Sequence, residues 1–90
     1  MDVYLDNNAS TKLVPEVLEA MLPYLRDQYG NASSAHSRGR EAKKALDRSR
    51  ETLALMIGAS QTECICFTGS GTEAINLAIK GAASARCRKG

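Results

Sequence analysis

Long apolar runs are missing from this 90-residue sequence. Nowhere do about 18 apolar residues follow one another, so no membrane span is expected. Nor does the N-terminus, Met1-Asp2, carry a basic region followed by an apolar stretch, so it does not read as a secretory signal. Three cysteines make an odd count without the spacing of a disulfide framework. That suits a reducing compartment, and the expected location is cytoplasmic. An excess of one charge sign is lacking too: 12 basic against 10 acidic side chains leave a net charge of +2. This argues neither for nor against a polyanionic partner. Tryptophan is absent and aromatics are scarce at 4%. There is no internal repeat and no low-complexity linker.

What is present is ordinary for a soluble globular protein, with 43% hydrophobic and 24% charged residues. Ninety residues make one domain or a piece of one, with a modest core at best. The richest stretch is Phe67-Thr68-Gly69-Ser70-Gly71-Thr72-Glu73-Ala74. It joins the apolar run Cys64-Ile65-Cys66-Phe67 to a long apolar helical pattern from Ala74 to Ala85. The order implied is strand, glycine turn, helix. Glycines let the backbone turn sharply and approach a bound group closely. The first N–H groups of the helix have no intrahelical partner, and with the helix dipole they form an anion site, most often for phosphate. Thr72 adds a hydroxyl donor there, or caps the helix. The alternative is a plain strand-to-helix connection.

Helical periodicity organises the rest. Pro15 suits a first helical position and Glu16 the positive end of the dipole. Val17, Leu18, Met21, Leu22 and Leu25 follow at helical spacing, and Pro23 is expected to kink or divide the helix. A second apolar stripe is Ala42, Ala45, Leu46, Leu53, Met56 and Ile57, with Gly58 placed to end that helix. The pattern predicts helices over roughly 15–29, 35–57 and 72–86 and a short strand at 64–67. Val3-Tyr4-Leu5 reads as a short extended segment. The first half of the third helix is apolar almost all round, as in helices buried inside larger proteins. A strand, turn and helix are half of a βαβ unit, whose parallel partner ought to begin near residues 86–90. A parallel sheet is covered on both faces, which one strand and three helices cannot supply. The expected class is therefore α/β, with this chain a helix-dominated N-terminal piece.

The segment from Phe67 to Gly81, FTGSGTEAINLAIKG, closely resembles a segment of the cysteine desulfurases of the NifS/IscS type. These belong to the class V aminotransferase-like enzymes that use pyridoxal 5'-phosphate. Tyr4 to Thr11 resembles the family's opening strand and turn, and Pro15 to Leu25 its first helix. Gly30-Asn31, Ser33-Ser34, His36-Ser37 and Gly39-Arg40 resemble the loop and helix start that follow. The matches come in the family's order and cover nearly the whole chain.

The resemblance implies a PLP-dependent transferase of fold type I. Residues 1–14 would be its N-terminal strand and turn, and 15–90 the start of the large cofactor-binding domain. It implies conversion of L-cysteine to L-alanine with an enzyme-bound persulfide, a homodimer, and delivery of sulfur to an acceptor protein for iron–sulfur cluster assembly. It also implies that the cofactor-bonding lysine, the aspartate, the ring-stacking histidine and the sulfur-accepting cysteine lie beyond residue 90. No catalytic residue is then expected here, and this chain alone is expected to be inactive. Gly71 and Thr72 would form part of the cofactor-phosphate cradle, and Asn8 would lie on the substrate side. Ser10 stands where a second threonine is common, Lys12 where proline is, and Cys64 and Cys66 where branched apolar residues are usual. A close relative such as a selenocysteine lyase therefore stays open, as does a free-standing, non-catalytic interaction module.

Other chemistry-bearing residues have plainer readings. Cys64 and Cys66 would share one face of the strand as buried apolar side chains; a metal site there would need His36 or Cys87, and none is expected. Cys87 reads as an ordinary thiol whose basic neighbours favour oxidation. His36 reads as a loop or first-turn residue that bonds locally, and Lys80 as a surface or inter-element residue. Arg38 to Arg50 is basic but interleaved with acids, which favours a solvated helix face over a nucleic-acid patch.

Overall fold

The computed structural model describes residues 1–87. The elements in order are α1 (Pro15–Arg26), α2 (Ser37–Ile57), a single 3-10 turn at Thr62–Cys64, and α3 (Gly71–Cys87). There are two compact units, Met1–Arg48 and Ser49–Gly90, with the boundary inside α2.

In the first unit, the chain opens with a turn in which the Ala9 and Ser10 N–H groups donate to the Asp6 carbonyl at 3.1 and 3.4 Å. Tyr4 secures it: its hydroxyl lies 3.0 Å from the Asp6 carbonyl oxygen and 2.9 Å from Ser10 Oγ. Helix α1 starts from an extended Val14, whose apolar side chain offers no cap, and Pro15 at its start has no N–H to leave unsatisfied. Pro23 sits inside α1 without dividing it. It does mark the end, since both Asp27 and Gln28 donate to its carbonyl, at 2.9 and 2.8 Å. The helix therefore stops at Arg26, three residues short of the predicted boundary.

The loop to α2 is tightly built. Asn31 Oδ1 accepts from the Ser33 N–H at 2.8 Å, and Ser34 N–H donates to the Asn31 carbonyl at 3.0 Å. Gly39 is buried against this turn. A Cβ at Gly39 would collide with the Ser34 carbonyl oxygen and stand 2.8 Å from that of Asn31. Only glycine permits this approach. His36 Nδ1 accepts from the Gly39 N–H at 3.3 Å, and its carbonyl accepts from Arg40 at 3.0 Å. His36 thus bonds locally at the start of α2, as its plain reading held. Lys43–Asp47 at 2.7 Å and Lys44–Glu41 at 3.3 Å line the exposed face of α2, which is the solvated, mixed-charge face that the sequence pattern indicates.

In the second unit, α2 ends in a Schellman arrangement. Gly58 adopts φ +69°, its N–H donates to Leu55 O at 3.3 Å, and Ala59 N–H donates to Ala54 O at 2.8 Å. Ala54 is the one buried hydrophobic residue among those described, at 4% exposure. Ala54 lies outside the apolar stripe read from the sequence; in that stripe Ala42 and Ala45 are half-buried and Met56 and Ile57 exposed. On α3, Ile75, Leu77 and Ile79 are 51–66% exposed.

The strand expected at 64–67 does not form. Cys64 instead closes the 3-10 turn, with its N–H on Gln61 O at 3.2 Å, and Ile65 N–H follows on Thr62 O at 3.0 Å. Ile65 is extended at φ −97°, ψ 117°. A strand is defined by its ladder, and no partner strand is found among the described residues, so an extended backbone stays unpaired. Residues 3–5, expected to be extended, likewise form no strand. The described residues are therefore helical, and an α/β sheet is not formed among them. Residues 88–90, where a further strand was expected to begin, lie outside the described residues.

Candidate functional site

The glycine turn between Phe67 and α3 is held by its own side chains. Thr68 Oγ1 donates to the Ser70 carbonyl at 3.0 Å. Ser70 Oγ accepts from the Glu73 N–H at 3.2 Å, and the Ser70 carbonyl accepts from Ala74 at 3.1 Å. Glu73 reaches back, its Oε2 accepting from the Gly69 N–H at 2.9 Å. This is a reciprocal capping box shifted by one residue, since the carboxylate takes the N–H before the cap rather than that of the cap. The pattern Ser70-x-x-Glu73 is visible in the sequence and was the signal that identifies the cap. Thr72 does not cap the helix; Ser70 does.

What the box leaves open defines the site. Glu73 N–H and Gly69 N–H are engaged, whereas the N–H groups of Gly71 and Thr72 have no acceptor among the described residues. The Thr72 hydroxyl likewise has no hydrogen bond among them, although the Thr72 carbonyl accepts from Asn76 Nδ2 at 2.9 Å. A Cβ placed on Gly71 would meet nothing within 4 Å, so the approach to these donors is open. Two adjacent amides and one hydroxyl at the positive end of a 17-residue helix suit a phosphate group by number, type and dipole. Glu73, a carboxylate of the chain itself already seated on a neighbouring N–H, shows that this helix end accepts an anionic oxygen.

Gly71 and Thr72 are thus adjacent at one helix start in the second unit. Asn8 lies in the first, exposed in the turn over residues 7–9. The three cysteines are free and exposed, so Cys64 and Cys66 are not the buried strand residues expected. With no strand, the alternation that would hide them does not arise; Cys66 Sγ turns to the Phe67 carbonyl at 3.8 Å. Among the described residues, no group of three or more His, Cys, Asp or Glu side chains is arranged to hold a metal ion. No described helix is long and apolar enough to cross a membrane. Lys80 is exposed on α3.

Comparison with known proteins places this chain in a family. The model of the aminotransferase class-V family matches residues 3–90. A cysteine desulfurase of Trichormus azollae is 51% identical over 87 residues, 97% of this chain and 22% of that protein. The cysteine desulfurase IscS of Dictyoglomus turgidum is 51% identical over 89 residues, 99% of this chain and 22% of that protein. A cysteine desulfurase of Enterobacter agglomerans is 53% identical over 78 residues, 87% of this chain and 20% of that protein. The chain thus spans about a fifth of the length of the curated relatives it matches. No solved structure matches it significantly. With agreement running from residue 3 to residue 90, the chain belongs to the aminotransferase class-V family.

Proposed function

We propose that this chain supplies part of the cofactor-phosphate cradle of a pyridoxal-phosphate-dependent cysteine desulfurase, which turns L-cysteine into L-alanine and an enzyme-bound persulfide. The observation that carries the reading is the pair of N–H groups at Gly71 and Thr72 with no acceptor among the described residues, in a chain about half identical to cysteine desulfurases. When bound, pyridoxal phosphate supplies an electron sink for the bond broken at the substrate. The residues here bind and orient. Gly71 and Thr72 N–H groups and the Thr72 hydroxyl hold the phosphate, while the Ser70–Glu73 box keeps the turn in shape and leaves those donors to the ligand. Asn8 belongs on the substrate side.

The finer architecture goes with this reading. Residues 1–14 are the N-terminal segment, and 15–90 open the large domain of a fold type I α/β enzyme. Ile65–Phe67, already extended at Ile65, becomes a strand when neighbouring strands flank it. The apolar surface of α3 is covered in that setting. The enzyme is a cytoplasmic homodimer that hands sulfur to an acceptor protein for iron–sulfur clusters.

The test is Thr72→Ala in the full-length protein. A hydrogen bond to a charged group contributes about 1.5–3 kcal/mol, so retention of the cofactor should weaken about tenfold or more. Spectrophotometric titration of the apo-protein with pyridoxal phosphate measures it. An unchanged dissociation constant removes Thr72 from the cradle.

A further inference from the structure

We infer that Arg50 is a positioning residue for the phosphate turn, an inference that rests on the cradle reading above. The periodicity of α2 puts Arg50 among the charges of a solvated face, yet in the structure it is half-buried. Its Nε donates to the Ile65 carbonyl at 3.2 Å, across 15 residues of chain. Its guanidinium also lies over the Phe67 ring, 5.4 Å from the centroid. The two contacts are independent in kind, one a directional hydrogen bond and the other a cation–π contact.

Both fall on a segment of the second unit, between the 3-10 turn and α3, that has no secondary structure to hold it. Ile65 is extended, and Ile65 to Phe67 belongs to no helix or ladder among the described residues. It leads straight into Thr68 and Gly69, the first residues of the turn whose geometry exposes the Gly71 and Thr72 donors. Arg50 grips residues 65 and 67 together, and so fixes both position and direction of the chain as it enters the turn. The guanidinium does this because Nε donates to Ile65 while Cζ stands over the Phe67 ring. A lysine ammonium is a compact point charge and holds one contact at a time. Without Arg50, the capping box still closes around Ser70 and Glu73, but the turn it shapes is no longer anchored on α2.

The test compares wild type, Arg50→Ala, Arg50→Lys and Thr72→Ala in the full-length protein. Two readouts are taken: the dissociation constant for pyridoxal phosphate, and amide hydrogen exchange of the apo-protein. Arg50→Ala should raise the dissociation constant about five- to tenfold, since Arg50 acts through the turn and only part of the lost hydrogen bond and cation–π contact reaches the cofactor. It should speed exchange at residues 65–72 and leave α1 unchanged. Arg50→Lys should fall between the two. Exchange that rises equally throughout the chain would make Arg50 a general stabiliser and overturn the inference. So would wild-type affinity in Arg50→Ala, or Arg50→Lys indistinguishable from wild type, while Thr72→Ala still weakens binding. If neither Thr72→Ala nor Arg50→Ala changes retention, the cradle reading falls and this inference with it.

Discussion

Replacing Ser70 with alanine removes the acceptor that holds the Glu73 N–H at 3.2 Å. Loss of a serine cap costs about 0.5–2 kcal/mol. The bond here is at the long end of the usual range and lies on an exposed turn, so the lower part of that range applies, about 0.5–1 kcal/mol. That corresponds to about a two- to fivefold rise in opening of the first turn of α3. Native-state hydrogen exchange at the Glu73 amide reads it directly. The Gly69 amide should lose protection as well, because the Glu73 carboxylate that accepts from it at 2.9 Å is held in place by the same box. Thr72→Ala should leave both amides unchanged, since its hydroxyl has no bond among the described residues. Unchanged exchange at Glu73 in Ser70→Ala, or a larger effect from Thr72→Ala, would refute the assignment of the cap.

Three further substitutions separate steric, conformational and electrostatic terms. Gly39→Ala drives a Cβ into the Ser34 carbonyl and should destabilise the intact protein by about 1–3 kcal/mol in urea unfolding. Gly58→Ala meets no atom within 4 Å, so its cost of about 1–2 kcal/mol, read by the same unfolding curves, comes only from φ +69°. Lys43→Ala breaks an ion pair whose side chains are 62% and 42% exposed, and the unfolding midpoint should move by less than the equivalent of about 0.5 kcal/mol.

The three helices were legible because their signals are local. Pro15 at a helix start, Gly58 just past an end, and apolar spacing along α2 each act within a few residues, and the structure follows them. The end of α1 falls three residues before the rough boundary, within the usual error of about two to four, because Pro23 collects the Asp27 and Gln28 N–H groups on its carbonyl. The strand at 64–67 depends on a partner supplied from elsewhere, and alternation alone does not supply one. Arg50 was illegible for the same reason. Its contacts are with Ile65 and Phe67, far along the chain, and helical spacing reports only which face it leaves from. Within the candidate site, the motif marks a glycine turn at a helix start, and α3 does begin at Gly71. The division of labour between Ser70, Glu73 and Thr72 needed the hydrogen bonds.

The central claim is that the start of α3 holds the phosphate of pyridoxal phosphate. The most direct measurement is a crystal structure of the full-length protein grown with that cofactor. It should show phosphate oxygens within hydrogen-bond distance of the Gly71 and Thr72 N–H groups and the Thr72 hydroxyl, with Glu73 still on the Gly69 N–H. A cofactor phosphate bound elsewhere, with the Gly71 and Thr72 amides facing only water, would contradict it.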